Sequence, residues 1–319
     1  MSLSVGIVGL PNVGKSTLFN ALASRRLAET ATRPFTTINP HEAVVPVPDD
    51  DLEKLSSLVK PEKAIPATVT FIDIAGLVAG AHKGEGLGNQ FLAKIREVDA
   101  IVHVVRAFYD PNVIHHSDKY EMGSIEQICD DIEIVNIELK LGGIGNIPTL
   151  FVLNVGEDDI NSIDTKEKII TITEKFKTDT VAISAKIEEE LMDFSKQEGL
   201  KYLEQIGVSE TGLERLIKKA YFMLDLITFY TIKGGREVTA WSLKRGSDAL
   251  EAASEVHTDF AEKFIKAEVI GVNQLLALEG KDRQNPNIWK TAKEKGLVRL
   301  EGKDYVLKDK DVVEFKIGR

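Results

Sequence analysis

Residues Gly9-Leu-Pro-Asn-Val-Gly14-Lys15-Ser16-Thr17 constrain this chain more than any other stretch, because they satisfy G-x-x-x-x-G-K-[ST] in the context that pattern needs. An apolar run over 4–9 predicts a strand before them, and the pattern over 15–24 predicts a helix after them. Glycines let the backbone curl so that successive N–H groups point inward at phosphate oxygens, and the following helix N-terminus adds a favourable dipole. On this reading Asn12, Val13, Gly14, Lys15, Ser16 and Thr17 hold a nucleotide. Lys15 reaches the β- and γ-phosphates, and the Ser16 hydroxyl binds Mg2+. A bare glycine turn is the plainer alternative, and the strand–loop–helix placement argues against it.

Further strands are predicted over 68–72, 100–105, 149–153 and 180–184, alternating with helical patterns over 88–97, Ile125–Leu141, 165–176 and 212–226. Strands apolar on both faces and separated by helices imply a mostly parallel sheet covered on each side. From Thr228 the texture changes. Short strands are predicted over 229–232, 238–243, 264–269, 298–300, 305–307 and 312–316, with a helix over 247–256 among them. The expected fold is an α/β P-loop NTPase domain over 1–226, followed by a small α+β domain over 227–319.

A length of 319 residues suits two domains, and 43% apolar residues suit ordinary cores. No apolar stretch approaches a membrane span, and the N-terminus lacks the cationic start of a leader peptide. The single cysteine, Cys129, excludes an intramolecular disulfide framework and a cysteine zinc cluster, which fits a reducing cytoplasm. The net charge of -10 is unevenly spread: from Ile227 onward there are 17 Lys and Arg against 15 Asp and Glu, leaving 23 against 35 before it. A uniformly basic nucleic-acid binder is disfavoured and no DNA partner is expected, while a local basic face on the second domain stays open for RNA.

Two elements fall where a phosphoryl-transfer site needs them. Pro34-Phe-Thr36-Thr37-Ile-Asn-Pro40 is a threonine-bearing loop, and Asp73-Ile-Ala-Gly76 ends an apolar strand. An aspartate there holds Mg2+ directly or through water, and a glycine N–H meets the γ-phosphate. A switch-loop threonine completes the magnesium shell only while that phosphate is present. The next position, where many GTPases carry a water-orienting glutamine, is Leu77. Any hydrolysis therefore needs another water-positioner, with His82 and the pair His115/His116 as candidates, and should be slow unaided.

After the strand over 149–153 comes Asn154-Val155-Gly156-Glu157, where a guanine site carries N-K-x-D. Val155 replaces the lysine and Glu157 is one methylene longer than aspartate, so the two-pronged guanine contact is not reproduced. The expectation is a base pocket that takes ATP at least as well as GTP. Ser184-Ala185-Lys186 supplies a second loop at the base edge.

Together these residues resemble the Obg-like ATPases, the YchF subfamily of translation-factor-related P-loop NTPases. The likeness rests on GLPNVGKST, PFTTINP, DIAGLVAGAHKGEGLGNQFL, His103-Val-Val-Arg106-Ala-Phe108 and the N-x-x-E variant. Glu237-Val-Thr-Ala-Trp241 with His257-Thr-Asp-Phe260 resembles that subfamily's TGS domain, a ubiquitin-like β-grasp module. The resemblance implies slow Mg2+-dependent ATP hydrolysis and association with the ribosome, through the large subunit or its rRNA, and with stress responses. It also implies Mg2+ ligation by Ser16 and Thr37, adenine contact through Asn154 to Glu157, a water-positioning role for His115, and at Asn12 a position that binds K+ in some relatives. Members of this subfamily carry a long helical hairpin, whereas here only a truncated insert around 112–147 is expected. Two other readings stand beside the ATPase switch: a nucleotide-binding scaffold with incidental hydrolysis, and a small-molecule kinase, for which no arginine-rich lid is visible.

Overall fold

The computed structural model describes residues 3–29, 41–74, 87–280 and 288–318. Strands β1 (Ser4–Val8), β2 (Glu42–Pro46), β3 (Lys63–Ile65), β4 (Thr68–Asp73), β5 (Ala100–Arg106), β6 (Thr149–Asn154) and β7 (Thr180–Ile183) come first in the chain. Strands β8 (Leu226–Lys233), β9 (Glu237–Lys244), β10 (Phe264–Gly271), β11 (Arg299–Glu301) and β12 (Asp311–Ile317) follow. Contacts divide the chain into two units, Ser2–Val45 with Val69–Leu224, and Pro46–Thr68 with Asp225–Arg319.

The first unit holds a sheet in the order β2-β4-β1-β5-β6-β7. The pairs β1/β4, β1/β5, β5/β6 and β6/β7 are parallel. β5 is buried at every residue, which explains why it reads as an apolar run broken only by His103 before Arg106 ends it. Register aligns Ile7 with Asp73, Arg106 with Asn154, and Asn154 with Ile183. The carboxyl ends of these strands thus share one edge, the side where open parallel sheets bind ligands. Beneath that edge Val105, Phe151, Leu153 and Ala182 pack with Ile128, Ile132 and Ile172. The helix Ile125–Leu141 starts at Ser124, whose side chain accepts from the Gln127 N–H, and ends at Gly142, whose carbonyl accepts from Arg96 Nη2 at 2.8 Å. The chain then reaches β6 within a few residues, so no second helix of a hairpin lies between this one and β6.

In the second unit β8 and β9 form an antiparallel hairpin, β12 lies parallel to β8, and β10 runs antiparallel to β12 with β11 outside it. The helix Ala249–Val256 contributes Ala249, Ala252 and Ala253 to a core with Phe229, Leu243, Val269 and Phe315. First and last strands side by side, with a helix packed on the sheet, are the arrangement expected of a β-grasp module.

Three features depart from the sequence reading. A single cut near Leu226 describes the chain after Asp225 but not Pro46–Thr68, which joins the second unit. That segment, punctuated by Pro46, Pro48, Pro61 and Pro66, has no element predicted from the sequence. It nonetheless forms the helix Asp50–Val59, capped by Asp49 accepting from the Asp51 and Leu52 N–H groups, and the edge strand β3 paired in parallel with β9. The strand expected over 305–307 is only a bridge between Asp248 and Val306. The helix expected over 212–226 stops at Met223, and β8 begins at Leu226.

Candidate functional site

The phosphate-binding loop leaves β1 through Gly9, at φ +153°, where a Cβ would lie 2.3 Å from the Val104 carbonyl oxygen. Asn12 sits in the left-handed region at φ +61° and Gly14 at φ +96°. A Cβ on Gly14 would lie 2.2 Å from Asn154 Nδ2, so both its conformation and its neighbour require glycine. The helix Lys15–Glu29 starts immediately after. Lys15 is 8% exposed, and its Nζ donates to the Leu10 carbonyl at 2.7 Å. Burial lowers its pKa to about 8, against the upward pull of Asp73. A triphosphate in the loop offers this ammonium a far stronger acceptor than a neutral carbonyl.

Asn154, at the end of β6, is 6% exposed and ties two loops together. Its Nδ2 donates to the Val13 carbonyl at 2.9 Å, and its Oδ1 accepts from the Ala185 N–H at 2.9 Å. The phosphate loop and the loop after β7 are therefore pinned to one side chain. Val155 is buried in the core beneath. Glu157 and Lys186 form an ion pair at 2.8 Å across the two base-edge loops. Ser184 caps its own helix through the Ile187 N–H. Between these loops lies a cleft of about 640 Å³ lined by Asn12, Lys15, Ser16 and Thr17, by Asn154 to Glu157, and by Ser184 to Lys186. That size fits a nucleotide.

The remaining wall is the stretch Phe108, Tyr109, Asp110 and Val113, which sequence reasoning did not place at the site. It is held from below by Arg106, 1% exposed, whose guanidinium donates to three carbonyls: Phe108 at 3.2 Å, Val113 at 2.9 Å and Asp110 at 3.1 Å. An arginine closing an otherwise apolar strand was the signal available for this. Asn12 Nδ2 donates to the Ile114 carbonyl at 3.2 Å, joining the wall to the phosphate loop.

His115 follows that wall, and both of its ring nitrogens have partners. Nδ1 lies 2.8 Å from the Ser117 carbonyl, and Nε2 lies 3.1 Å from both carboxylate oxygens of Asp131. In this conformation neither nitrogen is left to orient a water. Burial lowers the pKa of the neighbouring His116, against the pull of Asp131. His103, in β5, is fully buried and held neutral by burial, with its pKa lowered to about 3.

Ser16 is exposed and Asp73 half-buried, both at the carboxyl edge of the sheet, with Asp73 close enough to Lys15 to oppose in part the lowering of that lysine's pKa by burial. A hydroxyl and a carboxylate beside a phosphate cradle are the oxygen donors Mg2+ takes, so the residues fit that ion. Thr36, Thr37, Gly76, Leu77 and His82 lie outside the described residues.

A family model described as 50S ribosome-binding GTPase matches residues 4–155, and one described as YchF-GTPase_C, a protein of unknown function, matches 226–318. The ribosome-binding ATPase YchF of Bacillus subtilis (strain 168) is 39% identical over 381 positions, covering 100% of each chain. This chain belongs to the YchF family. Another YchF, the ribosome-binding ATPase of Haemophilus influenzae, is 37% identical over 378 positions, again covering 100% of each chain. The YchF GTPase of Schizosaccharomyces pombe superposes with a TM-score of 0.79 at 28% identity, covering 99% of this chain and 98% of that one. A GTP binding protein from Pyrococcus horikoshii OT3, at 18% identity and a TM-score of 0.58, shows the fold alone. An alignment of 381 positions against 319 residues leaves YchF sequence with no counterpart here, in keeping with the short insert. No helix among the described residues is long and apolar enough to cross a membrane.

Proposed function

We propose that this YchF-family chain is a ribosome-associated ATPase that binds ATP with Mg2+ and releases ADP and phosphate. One observation carries the reading: Asn154 pins the phosphate loop to the loop after β7, framing a single cleft that spans phosphates and base. Backbone N–H groups of 12–17 and the Lys15 ammonium hold the phosphate tail, and Ser16 with Asp73, joined by Thr37, would ligate the ion. Mg2+, when bound, supplies positive charge against the negative charge that builds on the phosphates. Gly76 offers its N–H to the γ-phosphate.

The base end favours adenine. Guanine needs a carboxylate to accept from N1–H and N2–H2, and Glu157, one methylene longer than the usual aspartate, is drawn toward Lys186 in a surface ion pair. Val155, buried where a guanine site has a lysine stem, gives the base an apolar edge. ATP is therefore taken at least as well as GTP. Asn12, with Nδ2 engaged by Ile114, retains its carbonyl oxygen as the donor a K+ ion would use.

Water attack lacks a glutamine, because Leu77 stands in that position. Unaided hydrolysis is accordingly slow, and a partner completes the site. His82 and His115 are the chain's own candidates for orienting the water, and His115 must first leave Asp131 to do so. The partner is the ribosome, met through the large subunit or its rRNA, in the cytoplasm. The TGS-type β-grasp module from Ile227 onward, with 17 Lys and Arg against 15 Asp and Glu, is the surface offered. Leu77 also favours a second reading, a nucleotide-dependent scaffold whose hydrolysis is incidental. Single-turnover hydrolysis with and without ribosomes separates them: stimulation supports the ATPase switch, and equal slow rates support the scaffold.

A further inference from the structure

We propose that His115, His116 and Asp131 form a binding site for one borderline divalent transition ion, of the class of Zn2+, Co2+ and Ni2+, at the base of the loop that walls the cleft. This goes beyond the ATPase reading and does not depend on which nucleotide binds, but it shares His115 with that reading: an ion bound here would hold His115 on Asp131 and away from the attacking water.

The donor atoms are already gathered. His115 Nε2, His116 Nε2 and an Asp131 carboxylate oxygen lie within 4.8 Å of one another, the one such trio among the described residues. His115 Nε2 is 3.1 Å and His116 Nε2 is 3.6 Å from Asp131. Donors bound tetrahedrally at about 2.0–2.1 Å stand about 3.3 Å apart, so the two His–Asp distances are already within a few tenths of an ångström of that spacing, and the two imidazole nitrogens, within 4.8 Å of each other, would draw together to close the set. Two imidazoles and one carboxylate suit a borderline ion and do not suit Mg2+, which demands an oxygen octahedron.

The surroundings orient these donors as metal sites do. The Ser117 backbone meets His115 Nδ1, its carbonyl at 2.8 Å and its N–H at 3.3 Å, and so keeps that ring's Nε2 turned toward Asp131. Gln127 Nε2 donates to Asp131 Oδ2 at 2.6 Å, while Gln127 Oε1 accepts from the Gly123 N–H at 2.9 Å. The carboxylate is thereby held with Oδ1 toward His116. Asp131 is 2% exposed and His115 8%, whereas His116 at 27% leaves an approach from solvent. The histidines stand on the loop and Asp131 on the helix Ile125–Leu141, so an ion would cross-link two elements. Arg106 already fastens the same loop from its other end.

The test uses the full chain, freed of metal by a chelator, and a Co2+ titration without nucleotide. The expected result is one Co2+ per chain with the visible absorption of a four-coordinate nitrogen–oxygen site, displaced by Zn2+ and retained in millimolar Mg2+. His116→Ala and Asp131→Asn are expected to weaken binding at least tenfold, and His257→Ala to leave it unchanged. His116→Ala alters a partly exposed ring, and its melting temperature in chelator should match that of the parent, which excludes misfolding as the cause. Added Zn2+ should raise the melting temperature of the parent and not of His116→Ala. The proposal is overturned if the parent binds no stoichiometric Co2+, if Mg2+ displaces it, or if His116→Ala titrates like the parent.

Discussion

Asn154 shows how one side chain serves the site. Its amide gives one hydrogen to Val13 and takes one from Ala185 in a buried setting, where an unmade hydrogen bond costs about 1–3 kcal/mol. Asn154→Leu keeps bulk but strands both backbone groups. It should raise the dissociation constant for ATP at least tenfold and lower the urea midpoint by an amount equal to about 2–4 kcal/mol, checked by calorimetry and urea melts. Lys15→Ala should reduce turnover by two orders of magnitude or more in a phosphate-release assay, because no other cation replaces the one the loop aims at the phosphates. Leu77→Ala, which removes no hydrogen-bonding group, should have the milder effect. The sequence located Asn154 correctly at the end of a strand and read it as a base contact. That it acts as a staple could not be read, because its partners Val13 and Ala185 are brought together only by the sheet.

Among the elements, the wall over 108–113 depends on Arg106. Arg106→Met retains the stem but withdraws the guanidinium from three carbonyls. A stability loss of about 2–4 kcal/mol is expected in urea melts, with weaker ATP binding in the same variant. The helix Asp50–Val59 is tied to its own unit by Lys310 on Asp51 at 2.6 Å and by the Tyr230 hydroxyl donating to Asp49 at 2.8 Å. Burial raises the Asp51 pKa, yet Lys310 and Lys54 outweigh it and hold the carboxyl below its ordinary value. A carboxyl lowered on folding adds stability that is complete above its unfolded pKa of about 3.9 and disappears as pH falls through the folded value. Asp51→Asn should therefore destabilise by about 1 kcal/mol at neutral pH, unchanged between pH 6 and 8, with the difference shrinking below about pH 4. This helix and β3 escaped the sequence reading for a physical reason. Four prolines break the local pattern, and β3 is three mostly exposed residues whose pairing with β9 is fixed by tertiary contact. The buried strands β1, β5 and β6, by contrast, were legible because burial on both faces forces an apolar run.

On the scale of the whole molecule, the chain passes from one unit to the other and back between Val45 and Val69 before returning at Asp225. Those first crossings lie, in sequence, between residues 34–40 and the strand β4 that ends in Asp73. The charge split, negative before Ile227 and slightly positive after, makes the stretch from Ile227 onward, and not the acidic helix Asp50–Val59 of the same unit, the surface proposed for RNA. Ribosome association should weaken steeply as salt rises from 50 to 200 mM, as counterion release requires, and pelleting assays across that range test it. Indifference to salt would contradict an RNA contact.

The central claim, one purine triphosphate held between the phosphate loop and the loops pinned by Asn154, is tested most directly by calorimetry. Titrating ATP and then GTP, each with Mg2+, into the full chain should give one site, with ATP bound at least as tightly as GTP and binding lost in Lys15→Ala. No heat from either nucleotide, or GTP binding far tighter than ATP, would contradict the account.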